Sequence, residues 1–323
     1  MGGTITVALA GDTMLGRGVA ERLARSSPQS LFSPEVVEAA READLFLLNL
    51  ECCVSERGEP WPAPGKPFFF RAPPAAVDAL VHLGVDCVTL ANNHALDFGE
   101  VALLDTVGRL SSAGIRVVGA GHDLAAARAP VVLEANGLSL GVIGVTDHPS
   151  DFAAEEGSPG VAFADLSTGV PKWLSDTVRG MDSDVVLVTA HWGPNMASEP
   201  VGRVRAAAPV LLEAGASVIA GHSAHVFQGV QDRTLYDLGD FVDDYAVDPV
   251  LRNDLGLLWL LTVGASGPMR LEVLPLRLDY CHTRLARGED ADWIRTRFRQ
   301  ACASFGTDVS EDHGRLVVHW RDG

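Results

Sequence analysis

Short runs rich in Val, Ile and Leu alternate with amphipathic stretches along most of the chain. Runs at 4–10, 44–50, 85–91, 115–119, 138–146, 185–190 and 217–220 are bounded by Gly, Asp or Asn, and they read as buried strands. Between them, residues 18–25, 34–42, 73–83, 100–113, 168–179 and 201–214 keep apolar side chains at three- and four-residue spacing. Several begin near Pro or Ser, and the pattern predicts helices. Such alternation implies α/β layering. The later pattern differs: runs at 234–238, 257–264 and 270–278 are separated only by short turns, which predicts an added β layer with antiparallel pairing. A helix over 290–305 and a strand over 316–320 follow.

A chain of 323 residues, 47% of them hydrophobic, can bury a large core. The pattern suggests one α/β domain over 1–280, with 281–323 as a helix and strand extension packed on it. The formal charge of −17 would repel a phosphate backbone, which excludes nucleic acid as a natural partner. Cys52, Cys53, Cys87, Cys281 and Cys302 are odd in number and lack CxxC spacing, so they read as reduced thiols. No charged segment followed by a long apolar one opens the sequence, and no run nears the roughly 18 apolar residues of a membrane helix. The chain therefore reads as soluble and cytoplasmic, without membrane insertion. The longest irregular stretch, 56–74, is rich in Pro and Gly and is placed to wall a substrate cleft.

Chemistry concentrates at the strand ends. Asp12, Glu51, Asn93, His191 and His222 each fall within a residue or two of the end of an apolar run. In open α/β sheets ligands bind beyond the carboxyl ends of the strands, so parallel strands would gather these side chains on one edge. Any one of them alone reads as a turn former or helix cap. Together, carboxylate, imidazole and amide oxygen suit one or two divalent ions such as Mn, Fe or Zn, and the absence of cysteine disfavours a structural zinc site. Two ions about 3.5–4 Å apart would acidify a bridging water and polarise a substrate oxygen.

The motifs LAGDTMLGRGV (9–19), LNLECCVSERGEPWP (48–62), KPFFFRAPP (66–74), GVDCVTLANNHALDFGE (84–100), GIRVVGAG (114–121), TAHWGPNM (189–196), GHSAHVFQGV (221–230) and YDLGDFVDDY (236–245) span most of the chain. In this order they resemble the poly-γ-glutamate capsule-synthesis family, CapA/PgsA, whose fold is similar to that of calcineurin-like metallophosphoesterases. The resemblance implies a four-layer α-β-β-α sandwich. It also implies metal ligation by Asp12, Glu51 as bridging carboxylate, Asn93, His191, His222 and His225, with His94 catalytic. Three positions depart from the usual pattern. Met14 stands where a metallophosphoesterase has a ligand His, Ser223 where the family often has a third His, and Asp240 where it usually has Asn.

The remaining candidates follow from residue chemistry. His94 suits a general acid near neutral pH, or else a supporting hydrogen bonder. Asp97 would orient His94 or cap the following helix. Arg17 and Arg71 suit a substrate carboxylate or phosphate, and Lys66 the wall of the cleft. Phe68 to Phe70 read as a plain apolar strand or as part of that wall. Trp192 would stack on substrate or pack over the sheet edge. Asp147, His148, Ser223 and Asp240 are substrate-side candidates. The resulting expectation is a metal-dependent hydrolase acting on a phosphoester or a glutamyl-type amide of a small-molecule or peptide-like substrate. The alternative is a non-catalytic metal-binding accessory subunit working with biosynthetic-pathway partner proteins.

Overall fold

The structure, a computed structural model, describes residues 3–62 and 65–320. Residues 1–2, two positions of the Pro/Gly-rich loop (63–64) and the last three of the expected C-terminal extension lie outside the described residues.

Two sheets face each other. In the first, Thr4–Thr13, Leu45–Leu50, Cys87–Thr89 and Arg116–Val118 lie side by side in parallel. In the second, Leu138–Thr146, Val185–His191 and Val218–His222 are parallel neighbours. Period-two alternation sorts their side chains into layers. Ile5, Val7 and Leu9 point between the sheets, where they meet Leu140, Val142, Leu187 and Val218. Ala8, Ala10, Phe46 and Leu48 point the other way, onto helices Arg17–Arg25, Pro34–Ala40, Ala76–Leu83 and Gly99–Ser112. Beyond the second sheet, Ile143, Val186, Val188 and Ile219 pack on helices Lys172–Arg179 and Gly202–Ala214. The result is the α-β-β-α sandwich that the motifs imply.

Local chemistry explains where helices begin and stop. Ser33 accepts a hydrogen bond from Val36 N ahead of helix Pro34–Ala40, whose first position is proline. Helix Ala76–Leu83 ends on Gly84 at φ 82°, a left-handed conformation that costs glycine little.

The late strands depart from the sequence expectation. Thr234–Leu235 joins the second sheet parallel to Val218–His222, whereas the two later runs pair antiparallel as predicted, but none of them forms a further layer. Leu255–Gly264 pairs with the free edge of Thr4–Thr13, and Gly267–Asp279 and Arg315–His319 continue the same sheet outward. Their apolar alternation cannot distinguish a new layer from an extended one, because either buries the same face. Residues 66–70 also form no strand; pairing in that region is limited to Arg71–Ala72 with Cys53–Val54. The five cysteines are buried and unpaired, and among the described residues no helix is long and apolar enough to cross a membrane.

Beyond residue 280, helix Gly288–Ala303 sends Ile294, Phe298 and Cys302 into the core between the sheets. Phe298 is fully buried, with its ring 5.5 Å from that of Trp259. Truncating it in Phe298→Ala should cost about 3–5 kcal/mol in denaturant unfolding. A loss below about 1 kcal/mol would show that this helix adds little to the shared core.

Candidate metal centre

Asp12 ends its strand in the first sheet, and His191 and His222 end neighbouring strands in the second, where they are paired in register. The centre therefore lies at the carboxyl edge where the two sheets meet. Two glycines allow the backbones to close there. A Cβ on Gly11 would sit 1.7 Å from Gly239 O, and one on Gly221 would sit 1.9 Å from Tyr236 O. Each glycine directly precedes a site residue, so the segment 236–239 can pass against both strands. Asp237 fastens that segment by accepting hydrogen bonds from Ala224 N and Gly239 N, both at 2.8 Å. The intervening loop is strained: Ser223 at φ 105° and His225 at φ 58° occupy backbone regions that non-glycine residues rarely adopt, as is common where function fixes a side chain.

Asp12 accepts from Asn49 Nδ2 at 2.7 Å and from Ser223 N at 3.1 Å. Its oxygens lie 3.5 Å from His222 Nδ1 and 3.5 Å from His225 Nδ1. Glu51 lies 4.0 Å from His191 Nε2 and 4.0 Å from His225 Nδ1, and accepts from the Tyr245 hydroxyl at 3.3 Å. Two groups, Asp12 with Glu51 and His191, and Asp12 with His225 and Asp240, each bring their ligand atoms within 4.8 Å of one another.

Polar atoms in this region are left over. Glu51 Oε1, Asn93 Oδ1, His191 Nε2, His222 Nδ1 and Asp240 Oδ2 are buried without hydrogen-bond partners. Such orphans are costly, and a cation satisfies them together. Ligand bonds of roughly 2.0–2.2 Å place neighbouring donors roughly 3–3.5 Å apart, near the spacing seen here. His222 is also pre-aimed, since its other nitrogen lies 3.0 Å from Thr189 Oγ1. The donor set fits a divalent ion.

Charge follows the same logic. Burial opposes ionisation of Asp12, but the nearby His222, His225 and His191 outweigh it and hold the carboxyl well below its usual range. Burial pushes Glu51 up to about 8, and it raises Asp240 well above the normal carboxylate range despite His225. Burial works against the charged form of His225, yet Asp240 and Glu51 overcome it and raise its proton affinity well above the ordinary imidazole value. Burial drives His191 well below that value.

Next to this cluster, His94 places Nδ1 2.6 Å from Asp97 Oδ2 and stacks on Phe70 with ring centroids 3.9 Å apart. Asp97 also accepts from Phe70 N at 2.6 Å and pairs with Lys66 Nζ at 2.9 Å. Helix Gly99–Ser112 has Phe98 at its start and no side-chain cap, so Asp97 faces His94 rather than the helix. Burial lowers the proton affinity of His94, and Asp97 partly restores it.

Residues 6–245 match the family model described as bacterial capsule synthesis protein PGA_cap. The chain belongs to the PGA_cap family. A probable polyglutamine synthesis accessory protein of Mycobacterium tuberculosis H37Rv is 32% identical, over 94% of this chain and 93% of that one. The PGA biosynthesis protein CapA of Bacillus subtilis is 29% identical, over 74% of this chain and 63% of that one. Among solved structures, a hypothetical protein from Thermus thermophilus aligns over 86% of this chain and 96% of that one, at TM-score 0.45 and 16% identity.

Within this PGA_cap chain several expected substrate contacts are engaged elsewhere. Trp192 is buried in the core behind the second sheet and donates to Tyr236 O at 3.0 Å, so it packs rather than stacks on a substrate. Arg71 lies over Phe98 at 4.1 Å and donates to Gly58 O, on the outside of the loop. The Ser223 hydroxyl donates to Gly193 O at 2.9 Å, which makes Ser223 a brace for the ligand loop. Asp240, expected toward the substrate, sits among the carboxylates around His225. Lys66 donates to Asn93 O at 2.6 Å and holds the 92–97 loop. Arg17 pairs with Asp244 at 2.8 Å and lies over Phe68, Phe70 and Tyr245. His148 pairs with Asp147, and its ring centroid is 5.2 Å from that of His191.

Other contributors escaped the motif reading. Asn49 touches Asp12, lies 3.3 Å from His191 Nδ1 and accepts from Asn92. It belongs to the run Asn49-Leu50-Glu51, so the signal was present but read for Glu51 alone. Arg203, which donates to Asp147 at 2.9 Å, lies in a helix far along the chain and gave no signal.

Metal uptake should release protons. At pH 7 Glu51, at about 8, and His225, with its raised affinity, hold protons that ligation must displace. Apparent affinity should therefore rise with pH, by about tenfold per unit for each proton displaced, with the Glu51 contribution levelling off above about 8. Calorimetry in buffers of different ionisation enthalpy counts those protons. A count of zero at pH 7 would contradict the assignment of these groups as ligands.

Proposed function

We propose that the chain is a metal-dependent hydrolase of the CapA type, cleaving a phosphoester or a glutamyl-type amide. The observation that carries this reading is the set of orphaned buried donors beside a carboxylate-oriented histidine. Asp12, Glu51, Asn93, His191, His222 and His225 would hold one or two divalent ions, Mn, Fe or Zn. Bound there, such ions supply Lewis-acid polarisation of the scissile group and acidify water near neutral pH.

The residues around them have separable tasks. His94 donates a proton from Nε2 to the leaving group. Asp97 fixes the ring through Nδ1 and favours its protonated state, in the manner of a carboxylate oriented against a catalytic imidazole. Phe70 covers the opposite ring face and excludes water from it. Asn49 holds Asp12 and His191 in place, and Lys66 locks the loop bearing Asn93 and His94.

A second reading is favoured by one finding, the naming of the Mycobacterium tuberculosis relative as an accessory protein. On that reading the metal centre would serve structure or binding, and a separate pathway enzyme would do the chemistry. A panel of phosphomonoesters, phosphodiesters and γ-glutamyl peptides with added Mn separates the two. Turnover of one class supports hydrolysis, whereas complete inertness of a metal-loaded protein supports the accessory role.

His94→Ala should lower turnover at least about a hundredfold while leaving metal content unchanged. Asp97→Asn should move the alkaline limb of the pH profile to lower pH, because Asp97 raises the His94 proton affinity and a proton donor is lost as pH rises through its pKa. Full activity in His94→Ala would remove that residue from the mechanism.

A further inference from the structure

Asp240 brings a ligating group that the proposed metal set does not use. Strand Asp240–Val242 runs parallel to the end of Thr4–Thr13 with Asp240 opposite Asp12, so register alone sets two strand-end carboxylates side by side. Asp240 is 1% exposed. Its Oδ1 lies 2.8 Å from His225 Nδ1, and its Oδ2 is buried without a partner. The same imidazole nitrogen is 3.5 Å from Asp12 Oδ2 and 4.0 Å from Glu51 Oε2.

Three buried carboxylates thus converge on one imidazole nitrogen. A single imidazolium cannot neutralise three ionised carboxylates, so a desolvated site that is to keep all three ionised needs a further cation. The cations closest in the fold are already committed: Arg17 is paired with Asp244, and Lys66 with Asp97. The position two residues beyond Asp12 offers nothing either, because the Met14 sulfur accepts from Gly16 N at 3.0 Å and the side chain belongs to the apolar core.

We infer that Asp240 is a ligand for a second divalent ion, held with Asp12, His225 and the Oε2 edge of Glu51, beside the ion at His191 and His222. The inference rests on the metal-dependent reading above and extends it. Asp240 supplies the negative donor that Met14 cannot, and Asp12 takes part in both groups of donors. Three carboxylates with one imidazole form an oxygen-rich site, which favours Mn²⁺ or Mg²⁺ over Zn²⁺. The neighbouring site is richer in nitrogen and suits Zn²⁺ or Fe²⁺ as well as Mn²⁺.

Equilibrium dialysis of the full chain against Mn²⁺, followed by elemental analysis, tests this without any assay of activity. The wild-type chain should take up about two ions. Asp240→Asn, which preserves side-chain volume, should retain about one, with the second weakened at least about tenfold. Two ions at unchanged affinity in that variant would overturn the inference. A single ion in the wild type, unaffected by the substitution, would overturn it while leaving the hydrolase reading intact, and no ion at all would overturn both. Should the variant lose its fold by circular dichroism, the wild type alone decides. A spin-coupled manganese pair is expected in its electron paramagnetic resonance spectrum at saturation, and a spectrum of isolated ions only would overturn the inference.

Discussion

The crowding of carboxyl groups out of water at one edge of the molecule is the constraint around which the rest is arranged. Asp12, Glu51, Asp97, Asp237 and Asp240 are all essentially buried; Asp97 lies in the loop ahead of helix Gly99–Ser112, and the others lie at or just beyond the ends of strands. Carboxylates gathered away from water are tolerated only when something fixed answers them. Asp237 is answered by backbone N–H groups and Asp97 by a histidine, a lysine and a backbone N–H. Asp12, Glu51 and Asp240 have only imidazoles, one asparagine, one tyrosine and a single backbone N–H. That imbalance separates braces from candidate ligands more clearly than residue type does.

The sandwich serves this edge by setting distances. Donors from the first sheet must meet donors from the second, so the spacing of the sheets becomes the spacing of the ligands. The apolar layer of Ile5, Val7 and Leu9 against Leu140, Val142 and Leu187 fixes that spacing with close-packed side chains of limited compressibility. Gly11 and Gly221 then allow the 236–239 segment to close over the strand ends. A bulkier residue at either position would push the ligand loops apart from beneath.

The strand-end residues were legible in the sequence because a polar side chain directly after an apolar run is a local signal. Asp12, Glu51, His191 and His222 all occupy such places, and the structure brings them together. What was not legible depends on pairing between distant segments. The alignment of Asp240 with Asp12 is a matter of register between strands more than 200 residues apart, and no periodicity encodes it. The surroundings of Trp192 and Ser223 are not legible in the sequence for a related reason. Adjacency to a ligand in sequence says nothing about which way a side chain turns, and alternation along the strand sends Trp192 into the layer behind the sheet. The addition of the late strands to the first sheet instead of a new layer has the same origin.

The pairing of the cations near the centre bears on how the proposed hydrolase would recognise a substrate. Arg17, Lys66 and Arg203 are each paired with a carboxylate, Asp244, Asp97 and Asp147, whose side chains are 5%, 0% and 2% exposed. A paired cation inside such a network has little attraction left for an incoming anion, and withdrawing it would strand its buried partner. On that reading an anionic group arriving at this edge would find its strongest attraction in the bound ions and not in an arginine clamp. On the proposed hydrolase reading, binding and polarisation of the scissile group would then depend on the same ions, while the aromatic wall of Phe68, Phe70 and Tyr245 would be left to discriminate by shape.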